Sequence, residues 1–383
     1  KAHPNIFVRQ ETQGWGDVYQ KLLSAIQVGN PPDMALSIPV LTMAVYQTGA
    51  LQPVDDIVKL IDKKYHYIPS QLVPYYYHKH YWAVPAWGMT HLLYYNETML
   101  KNVGFKDGPK TWDDMLLIGK KITDKNKNVY AISLPASRLM YTDQVLYDYM
   151  VTNGADVFDK NGDIIFDSPQ TVETLEFYKE LWQYSPPDSI GWGWGEPEMA
   201  FVSGKTAMVQ LFPSLELYLD AEKKGLGPFR ATRIPKPAKG GRYSSITYSN
   251  GIMVFAKDKA KYNAVKEFIS FLMEPETNGS WLANMEPGVF VPITEAANNA
   301  KSFWSHPVIA YYKDIIKLEQ EASKDAQLFG FVYSPPAPAV GEIAGTNLLS
   351  QVVAKVVTGE MTPAEGAKWG AERMREIAKK YKK

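Results

Sequence analysis

The sequence predicts an α/β protein of two lobes, and three observations carry that expectation. The chain has 383 residues, beyond the roughly 250–300 at which one hydrophobic core usually stops growing. Apolar residues make up 45% and charged residues 21%, a globular composition with enough apolar material for a sizeable core. Strand-like and helix-like stretches alternate along the length, the order from which α/β sheets are built.

In chain order, "NIFVRQ" (5–10) reads as a short strand. "WGDVYQKLLSAIQVG" reads as a helix with Val18, Leu22, Ala25 and Ile26 on one face and Gly29 as its stop. "PPDMALS" enters a second strand, and "YWAVPAW" and "HLLYYN" are extended. "KTWDDMLLIGKKIT" is a helix that Thr111 can cap, with Asp114 three residues on, and "VYAISL" is a buried strand. "TDQVLYDYMVTNGADV" is helical as far as Asn153 and Gly154, and "VFDKNGDIIFDSP" turns back at Asn161 and Gly162. An amphipathic helix "TVETLEFYKELW" follows, then a short helix "EPEMAFVSG", the strands "TAMVQLF" and "GIMVFA", the helix "KYNAVKEFISFLM" and two closing helices. No repeat of solenoid length occurs. The glycine- and proline-rich "GFKDGPK" (104–110) and "TYSNG" (247–251) lie between element types and are the expected crossings between lobes.

The bulk chemistry removes several functions. Lysine plus arginine and aspartate plus glutamate each total 41, so nothing draws the chain toward nucleic acid, an acidic membrane or a polyanion. There is no cysteine, which removes disulfides, thiolate metal sites and cysteine nucleophiles. No run approaches the ~18 apolar residues of a membrane span, and "KAHPNIFV" has none of the parts of a signal peptide. Aromatic residues reach 13%, more than core packing requires, so some rings are expected to meet a ligand.

Familiar motifs mostly dissolve on inspection. "SGKT" (203–206) lacks the glycine a phosphate-binding loop needs, since Met199 stands there; Gly204 instead ends a helix. "DKNGD" (159–163) begins like a calcium loop, but Ile164 and Gln170 stand where glycine and the bidentate glutamate belong. "HKH" (78–80) offers two imidazoles on one side of a strand and no third ligand at predictable spacing. No GxSxG elbow occurs, and no local pattern singles out a pair of carboxylates for glycoside hydrolysis. No metal or cofactor is expected.

The tryptophans are more informative. In "GWGWG" the glycines disfavour helix by about 1 kcal/mol each, and in an extended piece Trp192 and Trp194 would share one face. A pyranose has a flat C–H patch that an indole face complements, and a hydroxyl rim that polar side chains satisfy. Against this, a tryptophan is usually buried. "PAWG" (85–88) and "QGWGD" (13–17) repeat a tryptophan beside glycine just past a predicted strand, and three such loops point to a ligand cleft.

The order of landmarks resembles the extracellular solute-binding proteins of ABC transporters, the sugar-binding group that includes maltose-binding proteins. The carriers are "QKLLSAIQVGNPPDMAL", "GALQPVDD", "YWAVPAWGMTHLLYYNETML", "GPKTWDDM", "FVSGKTAM" and "AVKEFISFLMEPE". Each is loose alone; their order over nearly the whole chain is specific. The resemblance implies a two-lobed, type II periplasmic-binding-protein-like fold, each lobe a mostly parallel sheet flanked by helices, with a hinge between. One lobe would comprise 1–108 with 250–300, the other 109–249 with 301–383. The family ordinarily begins with a further strand and helix before "HPNIFV"; this sequence does not show them, so one sheet is expected to lack a strand.

Carried over by position, the resemblance implies a cleft lined by Gln13, Trp15, Ser37, Trp87, Arg138, Tyr141, Trp192, Trp194, Tyr248 and Asn250. These lie on loops after strands, where α/β sheets bind ligands, with Trp15 and Trp87 facing Trp192 and Trp194. The implied function is capture of a neutral sugar by an extracytoplasmic monomer, periplasmic or lipid-anchored, and its delivery to an ABC permease. Arg138 is the only cation among these residues. A glycoside hydrolase, or a surface glycan-binding module, could use the same aromatic cleft.

Overall fold

The chain divides its strands between two sheets that it visits more than once. A computed structural model describes residues 4–14, 17–333 and 336–381. The first sheet has three strands in the order β1 (Met34–Ser37), β9 (Thr247–Val254), β4 (Val84–Thr90). The second has four, in the order β6 (Tyr130–Ser133), β7 (Thr206–Leu211), β5 (Leu92–Asn96), β8 (Phe229–Thr232). A small hairpin, β2 (Tyr76–Tyr77) with β3 (His80–Tyr81), stands apart.

The local signals place most elements well. The first helix runs Val18–Gln27 and buries Leu22, and Gly29 follows at φ +73°, a conformation glycine adopts without the Cβ penalty. Thr111 and Asp114 form a capping box at the start of the Trp112–Ile122 helix. At "DKNGD" the Asp159 carboxylate accepts the backbone N–H groups of Asn161 and Asp163, at 2.8 and 2.9 Å, and closes a tight turn. At "HKH", His78 and Lys79 form the turn of the β2–β3 hairpin, and His80 Nδ1 lies 2.8 Å from Asp55. Among the described residues no group of three side chains could hold a metal.

Three expectations need correcting. The sheets are not mostly parallel: β1 and β4 both run antiparallel to β9, β5 runs antiparallel to β7 and β8, and β6–β7 is the parallel pair. The reason is the path. Strands β5 and β9 each arrive directly from the other sheet, so no crossover helix is needed to set them parallel. Between β6 and β7, by contrast, the chain returns through helices, as a parallel pair demands.

The chain changes sheets at Thr90–Leu92, with His91 alone between β4 and β5, and not at 104–110. That glycine-rich segment is a loop between the Glu97–Asn102 and Trp112–Ile122 helices. Strand β5 therefore belongs to the second sheet, although 92–96 fell within the 1–108 lobe drawn from the sequence. The return crossing ends at Ile246, beside β9, and a third segment runs alongside it where Gln327 bridges Ile246.

Finally, residues 5–10 form no strand: Asn5 lies in a turn, 6–10 join no strand pair among the described residues, and Phe7 is 91% exposed. A β-prone sequence becomes a strand only where a neighbour takes its N–H and C=O groups.

The helix Met140–Thr152 anchors the second sheet. Every residue from Tyr141 to Thr152 is buried, including Thr142, Asp143, Gln144 and Asp148, so its polar groups must find partners inside the protein.

Candidate functional site

Those partners lie where the sheets meet. Asp148 Oδ1 accepts the Ile246 N–H at 2.6 Å, and Oδ2 accepts Gln210 Nε2–H at 2.5 Å and lies 2.6 Å from His91 Nδ1. One buried carboxylate thus grips both crossing segments. A second does similar work, since Glu319 Oε1 accepts the Thr90 N–H at 3.0 Å, and burial holds its carboxyl well above the usual range. Asp156 takes the third segment, accepting from Gln327 Nε2 at 3.1 Å and from Tyr147 OH at 3.1 Å.

Next to this hinge lies a mixed aromatic and amide cluster. The His91 ring is 4.0 Å from Phe212, and Phe212 is 6.1 Å from Tyr248. Gln144 Nε2 donates to Tyr248 OH at 3.3 Å. Asn250 follows Tyr248 by two residues on β9, so both side chains point to one face of the sheet, and Asn250 is paired across the ladder with Trp87. Both amide atoms of Asn250, with Gln144 Oε1 and Gln210 Oε1, are buried without a hydrogen-bond partner among the described residues. Such atoms cost about 1–3 kcal/mol each if left unpaired, so a concentration of them beside a hinge marks a place where something else supplies the bonds. Tyr141 leads out of the cluster: its OH donates to Gln210 O at 2.8 Å, and its ring stands 5.5 Å from Trp194.

The remaining sequence-derived positions fall elsewhere. Trp192 and Trp194 do not share a face. The chain bends after Trp192, where Glu196 accepts the Gly193 N–H at 2.9 Å, so the alternation of an extended strand is lost. Trp192 is 7% exposed with Lys205 Nζ 5.4 Å over its ring, while Trp194 is 40% exposed. Trp87 is packed edge-on against Trp281 at 5.3 Å and Phe290 at 5.6 Å, and among the described residues it makes no ring contact with Trp192 or Trp194. Ser37 is buried and spends its hydroxyl on Ile38 O and Thr42, ending β1 and opening the Pro39–Tyr46 helix. Gln13 is exposed and accepts from Lys21 at 2.8 Å. Arg138 is exposed and lines a separate depression of about 320 Å³ with Ile190, Thr358 and Glu360. Trp15 lies outside the described residues.

His91, Gln144, Asp148, Gln210 and Phe212 were missed by the sequence reading. A signal existed in "YTDQVLYDYM": Tyr141, Gln144 and Asp148 recur at helical spacing on one face, an aromatic and polar stripe in a helix with no solvent side.

Burial also sets a pH dependence. It pushes the carboxyls of Asp143 and Glu198 up to about 7 and that of Asp156 up to about 6. Their contribution to stability is full below the ordinary carboxyl range and is lost as pH rises through those values. Asp56 and Asp167 act in the opposite sense: burial raises the first, but its bonds to Lys266 and Tyr262 outweigh that, and Arg375 lowers the second. Their contribution is lost as pH falls below about 4. The melting temperature is therefore expected to peak near pH 5 and to fall toward pH 8, with a shallower fall in Asp143→Asn. A melting temperature that climbs from pH 5 to 8 would contradict these burials.

Two α/β lobes joined by short extended crossings, with polar and aromatic side chains gathered at the joint, define a two-domain periplasmic binding protein. The chain belongs to the bacterial extracellular solute-binding proteins, whose family model matches residues 1–310. It is 24% identical over 271 residues to the putative ABC transporter periplasmic-binding protein YcjN of Escherichia coli (strain K12), covering 70% of this chain and 60% of that protein. This chain therefore spans less than two thirds of that relative's length. It is 23% identical over 392 residues to the sn-glycerol-3-phosphate-binding periplasmic protein UgpB of Shigella dysenteriae, covering 94% and 83%. Among solved structures, the GacH receptor of Streptomyces glaucescens, known unliganded and in complex with acarbose, superposes with a TM-score of 0.82 at 20% identity, covering 100% and 92%. Among the described residues no helix is long and apolar enough to cross a membrane.

Proposed function

We propose that this protein captures a sugar between its lobes, outside the cytoplasm, and delivers it to an ABC permease. The hinge would be the three crossings at 90–92, 245–247 and 327. The observation that carries this reading is the joint itself: a half-exposed indole, Trp194, beside Tyr141, leading to the buried Oε1 atoms of Gln144 and Gln210 and the buried amide of Asn250, which have no hydrogen-bond partner among the described residues. A sugar ring stacks on the first and its hydroxyls satisfy the second. Contacts divided between lobes favour the closed form over the open one by the difference in affinity, and the closed shape is what a permease would recognise. The protein acts as a monomer, free in a periplasm or lipid-anchored, and performs no chemistry on its ligand.

Thermal-shift screening over sugars, followed by calorimetry, tests this. Trp194→Ala is expected to weaken the bound sugar about 10- to 100-fold. Trp192→Ala, which removes a buried ring, is expected to act mainly on melting temperature. The sugar should be recovered intact after incubation. A sugar whose affinity is indifferent to Trp194→Ala would refute the stacking role, and cleaved sugar would refute capture without chemistry.

A further inference from the structure

We infer that the helix Pro39–Tyr46 of one lobe and the helix Val340–Gly345 of the other form a clasp that holds the lobes together before any ligand arrives, with Gly341 and Gly345 as its positioning residues. This rests on the lobe closure read above and goes beyond it, because the clasp is a contact of the protein with itself.

The two helices belong to different lobes. Pro39–Tyr46 follows β1 and packs on β9. Val340–Gly345 is tied to the second lobe: Glu342 accepts from Lys380 and, at 3.0 Å, from Tyr381 OH, just past the closing helix Pro363–Lys379. The helix that follows it, Leu348–Val357, packs on Met140–Thr152, where the Ser350 N–H donates to Asp143. Yet the two short helices pack directly on one another, and their apolar residues Val40, Leu41, Met43, Val340 and Ala344 are all buried.

Glycine makes that approach possible. A Cβ at Gly341 would stand 3.0 Å from Ala44 Cβ and 3.0 Å from Ala44 N, and one at Gly345 would stand 3.2 Å from Cζ of Tyr19, on the helix that leads into β1. Both are tighter than ordinary van der Waals contact. Neither glycine has a positive φ, so the backbone does not call for it, and within a helix glycine is less favourable than alanine. Four residues apart, the two lie on one face of their helix. What they provide there is room for the opposite lobe.

The clasp lies on the ligand's side of the joint. Pro39 comes shortly after Ser37, which pairs with Gly251 beside Asn250, and the Asp143 that holds Ser350 stands beside Gln144. None of the three crossings passes through the clasp, so a rotation about them that widens the space between Asn250 and Gln144 parts the two helices. In the closed form their apolar faces leave water, which favours closure. A ligand then has less of the closing free energy to supply.

The chain has no cysteine, so Ala44→Cys combined with Gly341→Cys leaves a single disulfide to form, between positions whose β-carbons are close enough to bridge. In the unliganded double variant it is expected to form on mild oxidation. Reduction should then raise the radius of gyration measured by small-angle X-ray scattering, as part of the population opens. Gly341→Leu is expected to lower the unliganded closed-to-open ratio at least about 10-fold, and so to raise the radius of gyration above that of the unaltered protein, with cooperative melting retained. Should that variant fail to fold, Gly341→Ala gives the same test in smaller measure, since alanine favours the helix and harms only the contact. A disulfide that does not form, a radius unchanged by reduction, or substituted proteins as compact as the original would each overturn the clasp. None of these measurements uses a ligand, so those results leave capture between lobes standing; capture fails separately, if no sugar in the screen is bound.

Discussion

Replacing Asp148 by alanine is expected to cost about 3–5 kcal/mol of unfolding free energy, because three buried polar groups lose their partner at about 1–3 kcal/mol each. The carboxylate takes bonds from Ile246 and Gln210 and faces His91 Nδ1, and both His91 and Asp148 are completely buried. Alanine would leave three polar groups facing a void. Asp148→Asn preserves the volume but turns one acceptor into a donor, so its cost should be intermediate. Urea denaturation followed by far-UV circular dichroism measures both. A loss below about 1 kcal/mol for the alanine variant would place it among ordinary surface substitutions and would mean that the crossings are held by something else.

Trp87→Ala should be comparably severe, about 3–5 kcal/mol, as for other large core aromatics. The buried indole packs edge-on against Trp281 and Phe290, next to the shift in β4 register between Pro85 and Trp87. Trp87→Phe should recover much of the loss. Stability unchanged within about 1 kcal/mol, accompanied by a large loss of ligand affinity, would restore to Trp87 the stacking role its sequence context gave it.

These two residues show what could be read from the sequence and what could not. Capping and turn signals are local, so the Thr111–Asp114 box, the Asn161–Gly162 turn and the helix ends at Gly29 and Gly204 were legible. Strand direction and partnership are not local. The path of β5 and β9 from the other sheet, and the missing partner of residues 5–10, leave no mark on those segments. The same division holds at the joint. Tyr141, Tyr248 and Asn250 could be named from the family resemblance, although Tyr248 and Asn250 lie within β9 and Tyr141 on a helix, but the hydrogen bonds that tie Gln144 to Tyr248, Tyr141 to Gln210 and Gln210 to Asp148 connect positions tens of residues apart. Trp192 and Trp194 looked equivalent because spacing was the only information; a bend stabilised by Glu196 separates their fates.

The central claim is that ligand bound at the joint closes the lobes. The chain has no cysteine, so two introduced at exposed Lys59 and Glu176, one on a helix beside each sheet, give unique labels for a distance measurement by fluorescence energy transfer or double electron–electron resonance. Saturating sugar should shift the distribution to shorter separations. A distribution indifferent to a sugar that calorimetry shows to be bound would contradict the account.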